Sequence, residues 1–227
     1  MANVVRSSAQ AKRAQYGDQE WVDSSLEVLH SLERVGVQVE ARGLRHLQQL
    51  DTPCLIVGNH MSSLETTILP GLIQPLRRVT FIVKSSLLDY PFFKYVMRSR
   101  DPIAVSQTDP RADFKAMLEG GLKRLEQGIS IVIFPQGQRT TTFDPSAFNK
   151  IGIKLAKRAG VPIVPLALKT DAWGIGSIIP EIGKIDPTKK VHFSFGEPIE
   201  VNGRGIEQHE EILQFITYSL QSWAATP

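Results

Sequence analysis

The chain of 227 residues contains one cysteine, Cys54, which lies in the apolar run Cys54-Leu55-Ile56-Val57. An intrachain disulfide is therefore impossible, a cysteine-based metal site is excluded, and a reducing compartment is the expected home. Long apolar runs are missing too. No stretch approaches the roughly 18 uncharged apolar residues of a membrane span. The polar start, 1–19, carries Arg6, Lys12 and Arg13 but no apolar core of the kind a signal peptide needs. A strong charge of either sign is also absent: the net charge is +3, too mild to argue for a nucleic-acid partner. There is no repeat of fixed period and no low-complexity stretch. The Gly-x-Ser-x-Gly elbow, the Gly-x-x-x-x-Gly-Lys phosphate loop and the His-Glu-x-x-His metal motif do not occur.

What is present is the composition of a folded protein, 42% hydrophobic and 22% charged, at a length suited to one domain. Short β-branched runs predict strands at Val37–Ala41, Cys54–Val57, Val79–Val83, Ile103–Ser106, Ile129–Phe134, Ile163–Leu168 and Val191–Phe195. Helical spacing recurs between them, in Phe114, Met117, Leu118, Leu122 and Leu125, in Ile212, Phe215, Ile216, Leu220 and Trp223, and in Leu26, Leu29 and Leu32. This order predicts an α/β fold: a single domain with a central, mostly parallel or mixed sheet of about seven strands, covered by helices on both faces. Residues 1–19 read as a polar, flexible terminus, 20–35 as an amphipathic helix and 36–227 as the main domain. In such sheets ligands gather where strands end, so polar residues just past strand ends carry the functional reading.

Charge is unevenly spread. From Arg77 to Arg111 there are seven cations and three acids, an excess larger than that of the whole chain. Inside this segment Tyr90, Phe92, Phe93 and Tyr95 stand beside Lys94, Arg98 and Arg100. The run suits either a core helix with a solvated basic face or a surface that dips into an anionic bilayer.

Two strand ends stand out. In Ile56-Val57-Gly58-Asn59-His60-Met61-Ser62-Ser63-Leu64-Glu65 an imidazole leaves a buried strand five residues before a carboxylate. Such a pair points apart on a regular helix, so the two meet only if His60 precedes the helix and Glu65 lies in its first turn. Ser62-Ser63-Leu64-Glu65 supplies that start as a capping box, with Ser62 at the N-cap. The same pattern leaves a second reading open, in which Glu65 only caps and His60 is a loop histidine. In the other strand end, Phe134-Pro135-Gln136-Gly137-Gln138-Arg139-Thr140, a glycine turn followed by a guanidinium is suited to holding a phosphate.

Together these blocks resemble the glycerolipid acyltransferases of the 1-acylglycerol-3-phosphate acyltransferase family. The resemblance runs from Val37 to Val201. It includes Asn59-His60-Met61-Ser62-x-x-Glu65, Lys84-Ser85-Ser86-Leu87 with Pro91, Phe134 to Thr140, Gly160-Val161-Pro162-Ile163-Val164-Pro165-Leu166 and Phe195-Gly196-Glu197-Pro198-Ile199. Glu65 stands where the family has Asp, Gln136 where it has Glu, and Gln107 where it often has Arg. The resemblance implies acyl transfer from an acyl thioester, on coenzyme A or acyl carrier protein, to the free hydroxyl of a lysophospholipid, with 1-acyl-sn-glycerol 3-phosphate giving phosphatidic acid as the first expectation. His60 would be the general base and Glu65 its orienting acid. Arg139, Gln136 and loop amides near Gly137 would position the acceptor's phosphate, and Lys84 would assist acceptor or donor. No cofactor or metal is implied. The expected partners are the lysophospholipid, the thioester donor with acyl carrier protein as one candidate carrier, and a membrane surface, with no nucleic acid. The expected location is cytoplasmic, peripheral on the inner face of the cytoplasmic membrane. Another lysolipid acceptor, a thioester hydrolase using His60 on water, and a non-catalytic lipid-binding protein are the competing readings.

Overall fold

The computed structural model describes residues 2–91, 93–176, 181 and 183–225. In chain order its elements are α1 (Ala2–Lys12), α2 (Asp18–Arg34), β1 (Val39–Arg42), α3 (Leu44–Gln48), β2 (Leu55–Gly58), α4 (Leu64–Ile73), β3 (Val79–Lys84), α5 (Lys94–Ser99), β4 (Ile103–Val105), α6 (Pro110–Glu126), β5 (Ser130–Ile133), α7 (Ile151–Ala159), β6 (Ile163–Lys169), β7 (Val191–Phe195) and α8 (Ile206–Ala224). Seven strands form one sheet in the order β1-β7-β6-β2-β5-β3-β4. Every neighbouring pair is parallel except β6 and β7, so the sheet is mixed, as the pattern of strands and helices predicts.

The continuous apolar runs split by strand period. Ile56, Val132, Val164, Leu166 and Leu168 face one side with α2 and α4 residues such as Trp21, Leu32, Leu64 and Ile68. Leu55, Val57, Ile131, Ile133, Ile163 and Ala167 face the other, against Leu125 of α6, Leu155 of α7 and Ile212 and Ile216 of α8. Both faces are thus sealed, which is why the central strands read as unbroken apolar segments. The parallel set β2, β3, β4, β5 and β6 ends along one edge, at Gly58, Lys84, Val105, Ile133 and Lys169. β2 is the switch point there, because the chain leaves it on one side for β3 and β5 and returns on the other as β6.

The segment 1–19, expected to be polar and flexible, contains a helix. Ala2–Lys12 is helical, and polar contacts tie it to α2 while Ala11 packs against the core. Asn3 donates to the Ser24 carbonyl at 2.9 Å, Arg6 pairs with Glu27, and the Tyr16 hydroxyl meets Ser24 Oγ at 2.6 Å. Those partners lie on α2, beyond the reach of a local hydrophobicity pattern.

Gly43 and Gly128 offer a matched test of the packing, since both have a φ of 76°. A Cβ on Gly43 would stand 2.0 Å from the Phe195 carbonyl oxygen, where β1 and β7 come together, whereas nothing lies within 4 Å of one on Gly128. Gly128→Ala should cost only the left-handed penalty, about 1 kcal/mol. Gly43→Ala adds a backbone clash and should cost at least about 3 kcal/mol. Urea unfolding of the two variants measures the difference, and equal losses would contradict the β1–β7 packing.

Candidate active site

His60 is placed by the two residues before it. A Cβ on Gly58 would lie 2.8 Å from the Leu166 carbonyl oxygen, so glycine lets β2 and β6 close together. Asn59, 1% exposed, then continues the ladder with its side chain, donating to the Leu168 carbonyl and accepting from the Leu168 N–H, both at 2.8 Å. The imidazole emerges stacked on Phe134, with centroids 4.4 Å apart and planes 8° from parallel. Its Nδ1 is 2.9 Å from Glu65 Oε1. An ionised carboxylate only accepts hydrogen bonds, so Nδ1 carries the proton and Nε2 holds the lone pair. Among the described residues nothing bonds to Nε2, and the side chain keeps 18% of its surface open.

Glu65 has no exposed surface. Its Oε1 also accepts from Met61 N–H at 2.6 Å and Ser62 N–H at 2.9 Å, and its Oε2 accepts from the Thr170 hydroxyl at 2.6 Å, with the Ser62 hydroxyl at 3.0 Å. Burial pushes the carboxyl's pKa up, but the His60 hydrogen bond and charge, Thr170 and the Ser62 N–H together hold it below the ordinary value. The bonds that favour the charged form therefore contribute stability above the ordinary carboxylate range, and it is lost as pH falls through the lowered folded-state value. α4 starts one residue later than the capping box implies, with Ser63 as its N-cap. Ser62 still accepts from Leu64 N–H at 3.1 Å while Glu65 returns to the Ser62 N–H, so capping and orienting His60 are done by the same carboxylate.

The loop after β5 packs against this one. Gly137, at a φ of 70°, closes a turn in which its N–H donates to the Phe134 carbonyl at 3.0 Å. Gln136 accepts from the His60 N–H at 2.9 Å and donates to Thr140 Oγ1 at 2.8 Å, and Thr140 N–H donates to the His60 carbonyl at 2.9 Å. Both ends of the Gln136 amide thus tie the two loops together. Gln107, in the left-handed region at a φ of 62°, likewise donates to the Gly137 carbonyl at 2.8 Å. Arg139 donates through Nη1 to the Ser63 hydroxyl and through Nη2 to Glu181 Oε1 at 3.4 Å, and so stands beside the His60 loop. Lys84 ends β3 on the same edge of the sheet, exposed, and no hydrogen bond or ion pair among the described residues joins it to His60 or Arg139.

Phe134 and Ser63 were read only as parts of a strand end and a capping box, and Thr170 and Glu181 had no reading in the sequence. Thr170 lies 105 residues from Glu65 along the chain, and only its place just past the end of β6 could have pointed to it. In the aromatic run, Phe92 lies outside the described residues. Tyr90, Phe93 and Tyr95 are half-buried, and Lys94 lies over the Tyr95 ring at 5.2 Å with Lys12 of α1 at 5.9 Å. Two of the cations there are paired, Arg98 with Asp89 at 2.6 Å and Arg100 with Asp18 at 2.8 Å. Among the described residues no helix is long and apolar enough to cross a membrane.

Residues 38–169 match the family described as Acyltransferase. The chain is 30% identical over 179 residues to the 1-acyl-sn-glycerol-3-phosphate acyltransferase of Pseudomonas aeruginosa, a match covering 79% of this chain and 66% of that protein. It is also 30% identical over 132 residues to the human 1-acyl-sn-glycerol-3-phosphate acyltransferase beta, covering 58% of this chain and 46% of that one. The chain therefore spans less than two thirds of these curated relatives' length. The crystal structure of the 1-acyl-sn-glycerophosphate (LPA) acyltransferase PlsC from Thermotoga maritima superposes with a TM-score of 0.66 over 90% of this chain and 83% of that chain. At 18% identity that is a likeness of fold. The segment matched to the family covers more than half of the chain and contains His60, Glu65, Lys84, Gln136, Gly137 and Arg139, so the chain belongs to the acyltransferase family.

Proposed function

We propose that the protein transfers a fatty acyl group from an acyl thioester to the free hydroxyl of a lysophospholipid, with 1-acyl-sn-glycerol 3-phosphate as acceptor and phosphatidic acid as product. The observation that carries this reading is the His60–Glu65 pair, with Nδ1 engaged and Nε2 unbonded on a partly open ring. An alcohol needs a base to attack a thioester near pH 7, and an imidazole held in this tautomer is such a base. Nε2 takes the hydroxyl proton as the new ester C–O bond forms. The C–S bond then breaks, and the proton passes to the leaving thiolate. Glu65 balances the imidazolium in between. The substrate's own oxygen is the nucleophile, so neither an enzyme nucleophile nor a cofactor takes part.

Arg139 is the residue assigned to the acceptor's phosphate, and Gly137 shapes the turn that presents it. Lys84 lies within the same row of strand ends and is assigned to acceptor or donor. The donor is an acyl thioester of coenzyme A or of acyl carrier protein. The acceptor's acyl chain keeps it in the bilayer, so the protein works as a peripheral enzyme on the cytoplasmic face of the membrane. The half-buried edge formed by Tyr90, Phe93 and Tyr95 is the surface assigned to that contact.

Purified protein mixed with an acyl thioester and 1-acyl-sn-glycerol 3-phosphate should yield phosphatidic acid and free thiol by mass spectrometry. Free fatty acid in its place would make the protein a hydrolase. His60→Ala should lower turnover by about 10²–10⁴-fold with unchanged circular dichroism. Glu65→Gln can keep the local bonds, its carbonyl facing Nδ1 and the two N–H groups and its amide facing the Ser62 and Thr170 hydroxyls. Folding should therefore survive while turnover falls about 10²-fold or more for want of the charge. Full activity in that variant would leave Glu65 with capping alone.

Arg139→Lys keeps a charge but loses the planar fork. The apparent constant for the lysolipid should rise about 10-fold while that for the thioester holds. The opposite pattern would move Arg139 to the donor side.

A further inference from the structure

An acid-free stretch of sequence places unneutralised positive charge on one helix. Between Asp144 and Asp171 there is no acid, and the cations there are Lys150, Lys154, Lys157, Arg158 and Lys169. Lys169 pairs with Asp171 at 3.8 Å. The other four are exposed and follow one another at helical spacing from the N-cap of α7 to its last turn, so they form one stripe about 12 Å long. Lys157 donates to the Gly203 carbonyl at 2.6 Å, but among the described residues no ion pair reaches any of the four, and the exposed Glu207, Glu210 and Glu211 of α8 do not close on them. The cation-rich segment from Arg77 to Arg111 differs. Arg77 donates to the Leu47, Leu50 and Thr52 carbonyls, and Arg98 and Arg100 each hold an acid.

Phe114 of α6, 37% exposed, lies beside this stripe, with the Lys154 ammonium 5.3 Å from the centre of its ring. Both helices start at the strand-end edge that holds His60. α6 follows Gln107, whose amide reaches the Gly137 carbonyl at 2.8 Å. Asn149, just before α7, donates to the Pro135 carbonyl and accepts from the Ile151 N–H at 2.9 Å. The stripe therefore begins next to the loop that carries Arg139. Leu125 of α6 and Leu155 of α7 belong to one apolar layer, whereas Val96 and Met97 of α5 pack into the other, so the stripe and the aromatic edge assigned to the bilayer lie on opposite faces of the sheet. Membrane contact through α5 turns the stripe toward water. Its length and the exposed ring beside it fit a protein face better than a nucleotide, and its sign selects an acidic one.

We propose that Lys150, Lys154, Lys157 and Arg158, with Phe114, form the docking surface for an acidic acyl carrier protein, which brings its acyl thioester to the strand-end edge from the side away from the bilayer. The proposal rests on the acyl-transfer reading and names the donor that reading leaves open between two. The transfer step is unchanged: the same glycerol hydroxyl is acylated, and the carrier's thiol leaves in place of that of coenzyme A.

The test compares one acyl chain presented on acyl carrier protein and on coenzyme A, with 1-acyl-sn-glycerol 3-phosphate as acceptor. Lys154→Glu combined with Arg158→Glu should lower kcat/KM for the carrier-bound donor about 10-fold, mainly through KM, and leave the value for acyl-coenzyme A within about twofold. The same pair changed to Gln should show a smaller loss in the same direction. Calorimetric titration with the carrier protein alone should detect binding to the parent that weakens with salt and with the charge reversal. An equal loss on both donors, or none on either, would overturn the docking surface. So would a parent that uses acyl-coenzyme A but not the carrier, which leaves acyl transfer standing. Weakened binding to anionic vesicles with unchanged carrier kinetics would turn the stripe toward the bilayer and overturn it as well. A parent inactive with both donors would remove the acyl-transfer reading together with this one.

Discussion

A charged carboxylate with no exposed surface is expensive unless its lone pairs are filled, and the site is organised around filling those of Glu65. Its donors come from four places: the main chain of Met61 and Ser62, the Ser62 hydroxyl, the imidazole of His60, and the hydroxyl of Thr170 past the end of β6. Satisfying Glu65 therefore fixes the loop after β2, starts α4, and joins β2 to its neighbour β6 beyond the last strand bonds. The orientation and tautomer of His60 follow from that same arrangement. Phe134 covers the ring from the β5 side, so the imidazole is held by one edge and one face.

Gln136 and Gln107 fit this scheme. An amide both accepts and donates, and Gln136 uses both properties, taking the His60 N–H and giving to the Thr140 hydroxyl. A carboxylate there would accept the same N–H, and the threonine hydroxyl could turn to donate to it, so the tie between the loops survives either residue. Gln107 steadies the Gly137 turn from the β4 side while Asp113 accepts from the Ser106 and Gln107 N–H groups at 2.6 and 2.7 Å. Two amides and the Asp113 carboxylate thus position the loops, and Arg139, Glu181 and Lys84 make none of these ties.

All seven strands were legible because β-branched runs in a sheet sealed on both faces are apolar without interruption, and turn residues punctuate them. The site's first pair was legible for a different reason: His60 and Glu65 are close in sequence, and the capping pattern at Ser62 places the helix start to within one residue. Contacts made by topology were not legible. Thr170 and Phe134 reach the site only because β6 and β5 flank β2, and Glu181 reaches it by its pairing with Arg139. The helix Ala2–Lys12 escaped for a related reason, since its anchors include single polar contacts to Ser24 and Glu27 on α2.

The central claim is that a buried, ionised Glu65 holds His60 as a neutral base with Nδ1 protonated and Nε2 open to the acceptor hydroxyl. Nitrogen-15 NMR of protein labelled in its histidine rings, with His60 assigned by comparison with His60→Ala, reads the tautomer directly. The account predicts, for the neutral ring, a protonated Nδ1 and an unprotonated Nε2. A neutral ring with its proton on Nε2 would contradict it.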